Sequence, residues 1–234
     1  EGTTTPVSFV YDALFPYARK RLRAYLHEHS AANADAIRLL RDEWSSDVAA
    51  GEPVIDLVPR GAVQHGDASA WALYLVWLMG RDRKSPALKL VQGRIWQGGF
   101  ASGALCGQLY PDVRPALERW RAAGLSTAIY SSGSVLAQRL VFAHSTDGDL
   151  SFLIDCHFDT DVGPKRSPES YRRIASAMGR AAETMLFISD VVEELDAARL
   201  SGIRTLLCVR DGAADPQGDE PRFPVIRSFD ELSG

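Results

Sequence analysis

Hydrophobic positions fall into two textures along the chain. From about residue 17 to 110 every periodic segment repeats at helical spacing. Leu14, Ala18, Leu22, Tyr25 and Leu26 form one stripe, and Ile37, Leu40, Trp44 and Val48 form another that stops before Pro53. The segment "DASAWALYLVWLMG" starts on Asp67, whose carboxylate can cap free amide groups, and ends on Gly80; it is apolar nearly all round. This part reads as a helical bundle with Trp44, Trp71 and Trp77 in its core.

After "YPDVRP" (110–115) the pattern becomes helix, stopping glycine, short β-rich run. Leu117, Trp120 and Gly124 precede "LSTAIYSSG". Tyr171, Ile174, Met178 and Gly179 precede "TMLFISD", and Leu195, Ala198 and Gly202 precede "IRTLLCV". Such alternation predicts an α/β fold, a parallel sheet with helices on both faces. Ligands of such sheets bind outside the carboxyl ends of the strands. "AIYSSG" places Ser131, Ser132 and Gly133 there, and "LFISD" places Asp190 there. "EGTTTP" at the start has the form of another strand end, so a strand is expected ahead of Glu1. The segment 211–224 reads as a Pro/Gly/Asp surface loop.

Composition narrows the class. The 234 residues are 46% hydrophobic and 24% charged, enough apolar material for a full core. The net charge is −4 with basic residues scattered among acidic ones, so no footprint for a phosphate backbone exists and nucleic acid is excluded as the expected partner. No apolar run approaches the about eighteen residues of a membrane span, and no charged-then-apolar leader opens the chain. Cys106, Cys156 and Cys208 lie far apart, each in an apolar stretch where a free thiol packs as a small hydrophobe; this fits a reducing cytoplasm.

The strand ends, with Lys165 between the last two, carry a resemblance. "EGTTTP", "YSSGS", "GPKRSPESY" and "FISDVVEE" are similar to the four motifs of the haloacid-dehalogenase-like phosphohydrolases. The likeness is closer still to one branch, the enolase-phosphatases of methionine salvage, through "EGTTTPVSFVYDALFPYA", "LVQGRIWQGGFASGALCGQLYPDV", "YSSGSVLAQ", "FDTDVGPK" and "SDVVEE". It runs over nearly the whole chain. Phe100 stands where the branch has Tyr, and "KRSPESY" lacks an acid often found after the Lys.

The resemblance implies a three-layer Rossmann-like core made of residues 1–18 and 112–234, with a helical cap inserted over 19–111 that closes over the strand ends. It implies a nucleophilic Asp two positions before Glu1, at the end of a strand rich in Val, Ile and Ala that sits in the middle of the sheet. A chain without that strand is expected not to fold. It implies Mg²⁺-dependent enolisation and dephosphorylation of 2,3-diketo-5-methylthiopentyl-1-phosphate to an acireductone and phosphate, by a cytoplasmic monomer.

Residue chemistry supports a phosphoryl-transfer site. Ser131 brings a hydroxyl, and the backbone N–H groups of Ser132 and Gly133 open the next helix, where an anion is favoured. Lys165 supplies a mobile positive charge. Asp190 offers a hard oxygen ligand to one Mg²⁺, completed by the upstream Asp, the backbone carbonyl of Glu1 and waters. Glu194, one helical turn beyond Asp190, either holds a metal-bound water or orients the lysine. The Glu1 carboxyl can protonate a departing alkoxide and then deprotonate the hydrolytic water. Gln92, Gly93 and Trp96 of "QGRIWQGG" are candidate substrate contacts, or a glycine-rich helix junction. His65, His144 and His157 share no ligand spacing. The alternatives are a sugar-phosphate phosphatase on the same scaffold, a haloacid dehalogenase, which needs neither Asp190 nor an acid at Glu1, and an inactive binding module if no Asp precedes Glu1.

Overall fold

The structure is a computed structural model that describes residues 1–81, 83–210, 212–213 and 222–232. Most of the 211–224 loop, at 211 and 214–221, therefore lies outside the described residues. The chain divides into two compact units, Glu1–Val10 with Cys106–Gly234, and Tyr11–Leu105.

The Tyr11–Leu105 unit is helical. It begins inside a π-helical turn, Phe9–Leu14, and continues through α1 (Phe15–Glu28), α2 (Ala34–Ala49), the short α3 (Val54–Leu57) and α4 (Arg60–His65), α5 (Ala68–Gly80) and α6 (Pro86–Ala101). The boundary falls ahead of residue 19, where the sequence set it, because the apolar stripe of α1 (Ala18, Leu22, Leu26) is buried where α1 packs on α5 and α6. Asp67 caps α5 as its position suggests, its carboxylate accepting from the Ser69 N–H at 2.8 Å. Trp71, Tyr74, Leu75 and Leu78 of α5 are fully buried; burying one such side chain is worth about 1.5–3 kcal/mol. Gly99 lets α6 approach α1, since a Cβ there would collide with the ring of Tyr17. Trp77 departs from the expected core position: it is only half-buried, and the Arg81 guanidinium lies 4.0 Å from its ring centre.

The other unit holds the strands. Its elements are α7 (Val113–Ala122), β1 (Ala128–Tyr130), α8 (Val135–Ala143), β2 (Cys156–Phe158), α9 (Pro168–Ala177), β3 (Leu186–Ser189), α10 (Val192–Leu200), β4 (Arg204–Cys208) and β5 (Val225–Ile226). These strands pair in parallel: β1 with β2, with Tyr130 opposite Phe158; β3 with β4, with Ser189 opposite Leu207; and β4 with β5. Among the described residues the strands form two sheets, β1-β2 and β3-β4-β5, where the sequence suggested one. One sheet carries Ser131 at a strand end and the other carries Asp190. One core nonetheless takes side chains from both sheets. Ile129, Ile188 and Leu206 pack against Val113 and Leu117 of α7 and against Phe142, Leu150 and Phe229. On the opposite face, Phe187 packs with Tyr171 of α9 and with Ala197 and Ala198 of α10. Alternating strand residues thus meet helices on both sides, which makes the three layers.

The cysteines differ from the expectation of three packed thiols. Cys106 is exposed and Cys156 half-buried. Cys208 alone is a core residue, and burial pushes its thiol up to about 11.

Candidate active site at the carboxyl ends of the strands

The loop after β1 is built from its own side chains. The Ser131 N–H extends the ladder to the Phe158 carbonyl at 3.1 Å, and the Ser131 hydroxyl accepts from the Gly133 N–H at 3.1 Å. Gln138 of α8 reaches back and donates to the carbonyls of Gly133 (3.0 Å) and Phe158 (2.8 Å), tying the loop to β2. The helix itself opens later than expected. Ser134 is its N-cap, accepting from the Ala137 N–H, and the Val135 N–H donates to the buried Asp159 carboxylate at the end of β2. Ser132 and Gly133 therefore belong to the turn ahead of α8, and in this arrangement the Gly133 N–H is engaged by Ser131.

Lys165 stands on the loop between β2 and α9, held by two tyrosines. Tyr130 donates to the Gly163 carbonyl at 2.8 Å, and Tyr171 to the Lys165 carbonyl at 2.7 Å. Burial raises both phenols above their ordinary range, so both remain protonated donors. The Lys165 ammonium lies 2.6 Å from Glu194, whose same oxygen accepts from the Ser189 hydroxyl at 2.9 Å. The Glu194 carboxylate thus links the Lys165 ammonium to the end of β3.

Asp190 follows β3, and the first residues of the chain lie against it. The Thr3 hydroxyl donates to Asp190 at 3.3 Å. Gly2 sits at φ +77°, and a Cβ on it would overlap the Asp190 carboxylate, so both the backbone and the space demand glycine. The turn is closed by the Gly2 N–H donating to the Thr5 carbonyl at 2.8 Å, and the Tyr110 N–H donates to Thr4 at 3.0 Å. Glu1 is exposed, with a carboxylate oxygen 3.7 Å from where a Cβ on Gly133 would stand. Glu1, Gly2 and Thr3 thus bridge from the Ser131–Gly133 turn to Asp190.

Gln92, Gly93 and Trp96 are buried in α6 of the helical unit. The Trp96 indole N–H is used inside that unit, donating to the Leu14 carbonyl at 2.9 Å. Three residues around these loops did not stand out singly in the sequence: Gln138 and the buried pair Asp112–Arg210. Gln138 closes the "YSSGSVLAQ" motif and Asp112 lies within "YPDV", so the motifs were the available signal; Arg210 had none.

The residues at Asp190 suit a hard divalent cation. Among the described residues no group of three or more His, Cys, Asp or Glu side chains is placed so that it could hold a metal ion. The Asp190 carboxylate instead fills the space that a side chain at position 2 would take and lies against the backbone of the first turn, so the donors gathered there are oxygens, the kind taken by an ion that keeps several waters.

Known proteins resemble the chain in sequence and in fold. The family profile described as haloacid dehalogenase-like hydrolase matches residues 1–202. An enolase-phosphatase E1 of Synechococcus elongatus is 47% identical over 99% of this chain and 94% of its own, and one of Citrobacter koseri is 42% identical over 100% and 93%. The crystal structure of the UTR4 protein of Saccharomyces cerevisiae superposes with a TM-score of 0.75 at 30% identity, covering 99% of this chain and 96% of that one. Identity of this extent, spread over the core and the helical insertion alike, leaves one assignment: the chain belongs to the haloacid dehalogenase-like hydrolases and, among them, to the enolase-phosphatase E1 family.

Proposed function

We propose that the chain is a Mg²⁺-dependent enolase-phosphatase of methionine salvage, converting 2,3-diketo-5-methylthiopentyl-1-phosphate to an acireductone and inorganic phosphate. The observation that carries this reading is the placement of Glu1–Thr3 against both Asp190 and the Ser131–Gly133 turn, in a member of the E1 family. The reading includes a monomer in the cytoplasm, as expected from the sequence. Among the described residues no helix is long and apolar enough to cross a membrane.

In the proposed reaction the Asp two positions before Glu1 attacks phosphorus, and the bond from phosphorus to the substrate oxygen breaks. Glu1 gives its proton to that departing oxygen. The Glu1 carboxylate then takes a proton from the water that attacks the aspartyl phosphate, which releases phosphate and restores the acid. Ser131 and the Ser132 and Gly133 amides hold phosphoryl oxygens, with the Gly133 N–H exchanging its bond to Ser131 for one to the anion. Lys165, steered by Glu194, sets its positive charge beside the same oxygens. Asp190, with the Glu1 carbonyl, would hold Mg²⁺, which when bound supplies positive charge against the phosphate and the carbonyl oxygens of the substrate.

The test is turnover of the diketone phosphate by the full-length chain, with enol absorbance and phosphate release followed together, for wild type and Asp190→Asn. Phosphate release with enol formation, dependent on Mg²⁺ and lost in the variant, is the expected result. Phosphate release from sugar phosphates but not from the diketone would overturn the substrate assignment, and an Asp190→Asn variant of normal rate would overturn the metal assignment.

A further inference from the structure

The carbonyl of Thr3 is where the first turn is gripped from behind. Arg210, at 7% exposure, donates to it through both Nε (2.9 Å) and Nη2 (2.5 Å). Its remaining nitrogen donates to Asp112 at 2.6 Å and to the Arg227 carbonyl at 3.3 Å. The guanidinium carbon lies 4.3 Å from the ring centre of Tyr110 and 4.7 Å from that of Phe229. Asp112 is fixed in turn, accepting from the Phe229 N–H at 2.6 Å and the Ser228 hydroxyl at 3.2 Å. A buried ion pair is poor evidence of stability by itself, since desolvation offsets its attraction. This one spends two of its donors on a single backbone carbonyl, and the hydroxyl of that same threonine touches Asp190.

We infer that Arg210 is a positioning residue for the reaction. Resting on the function proposed above, Arg210 holds the Glu1–Gly2–Thr3 turn in register with Asp190, so that the acid at Glu1 and the metal ligand at Asp190 keep their mutual geometry. Asp112 holds the guanidinium. Arginine suits the task because its planar fork donates to the carbonyl and to Asp112 at once; a lysine ammonium can pair with Asp112 but cannot span both.

The test uses the full-length chain and Arg210→Lys. With the turn loosened, kcat should fall roughly 10- to 100-fold, while KM stays within about three-fold because the residue acts through Thr3 and not on the substrate. Hydrogen exchange of the Gly2 and Tyr110 amides, which bond within the turn and to it, should speed by about ten-fold with the α8 amides unchanged. If the lysine variant does not fold, Arg210→Gln combined with Asp112→Asn replaces the ion pair by neutral hydrogen-bonding groups, and the same signature is expected. Normal kcat with normal exchange overturns the inference, and so does a rise in KM without a fall in kcat, which marks a substrate contact. A wild type that leaves the diketone phosphate untouched overturns the proposed function instead; the exchange comparison needs no substrate and still decides the positioning.

Discussion

The Lys165 ammonium and the Glu194 carboxylate meet at 2.6 Å in a pair whose side chains are 19% and 10% exposed. Glu194 is also bonded to Ser189, on the strand that delivers Asp190, so the lysine is tied to the frame of β3 rather than to its own loop. In the proposed reaction Lys165→Ala removes the charge set beside the phosphoryl oxygens where their negative charge peaks, and kcat should fall by roughly two to four decades. Glu194→Gln leaves the charge and removes the guide, so its loss should be smaller, about one decade. Steady-state kinetics on both variants checks this; an unchanged rate for Lys165→Ala would reduce it to an ordinary loop lysine.

Gly2→Ala tests the contact between the first turn and Asp190. An Ala at φ +77° costs about 1–3 kcal/mol of backbone strain, and its methyl would overlap the Asp190 carboxylate. The carboxylate must move, so Mg²⁺ affinity measured by calorimetry should fall along with kcat, by roughly 10²-fold in the latter. Ala substitution at Gly124, also at positive φ but with open space around it, should carry the strain without the loss of metal affinity. Equal behaviour of the two variants would show that only backbone strain is at work.

Much of this was legible in the sequence, and the reasons differ from residue to residue. β1, β3 and β4 each follow a helix and a stopping glycine (Gly124, Gly179, Gly202), so the alternation revealed them. β2 is three residues, "CHF", with a polar His157 in its middle, and the turn at Ser151–Leu153 separates it from the glycine that follows α8, Gly148; β5 is two residues, and neither strand is long enough for a period to register. Ser131 and Asp190 stood out because strand ends are where ligands bind. Arg210 did not, because what it does is donate to a backbone carbonyl 207 residues away, and a backbone acceptor leaves no mark in a residue pattern. The glycine at position 2 could be read as part of a motif, while its reason, the carboxylate of Asp190 in the place of a side chain, is a fact of three dimensions.

Acid should loosen the buried pair in a defined direction. Burial raises the Asp112 carboxyl, but the Arg210 guanidinium and the Phe229 N–H outweigh it and hold the carboxyl below its ordinary range. A carboxylate depressed on folding contributes stability that is fully present above the unfolded value of about 4 and is lost as pH falls through the folded value. Asp112→Asn lacks this contribution at every pH and should be destabilised near pH 7 by on the order of 3 kcal/mol, leaving Arg210 without its anion. Thermal melts from pH 7 downward should show the gap between wild type and variant narrowing below about pH 4. A gap that stays constant to pH 3 would mean that the pair does not hold the proton balance of this region.

Glu1→Gln separates an acid from a spacer. The amide keeps the size and hydrogen-bonding reach of the carboxyl beside the Gly133 turn but has no proton to give to a departing oxygen. With the diketone phosphate, whose alkoxide is a strong base, breakage of the bond to phosphorus needs that proton, and kcat should fall by roughly 10²- to 10⁴-fold. With an aryl phosphate the leaving phenolate is a weak base that departs unaided, so the defect in forming the aspartyl phosphate should shrink markedly, leaving a slower hydrolysis of that intermediate. A burst of phenolate followed by a slow steady state is therefore expected from the variant with the aryl substrate. Equal loss on both substrates, with no burst, would mean that Glu1 only shapes the turn, and the proton transfers would have to be assigned elsewhere.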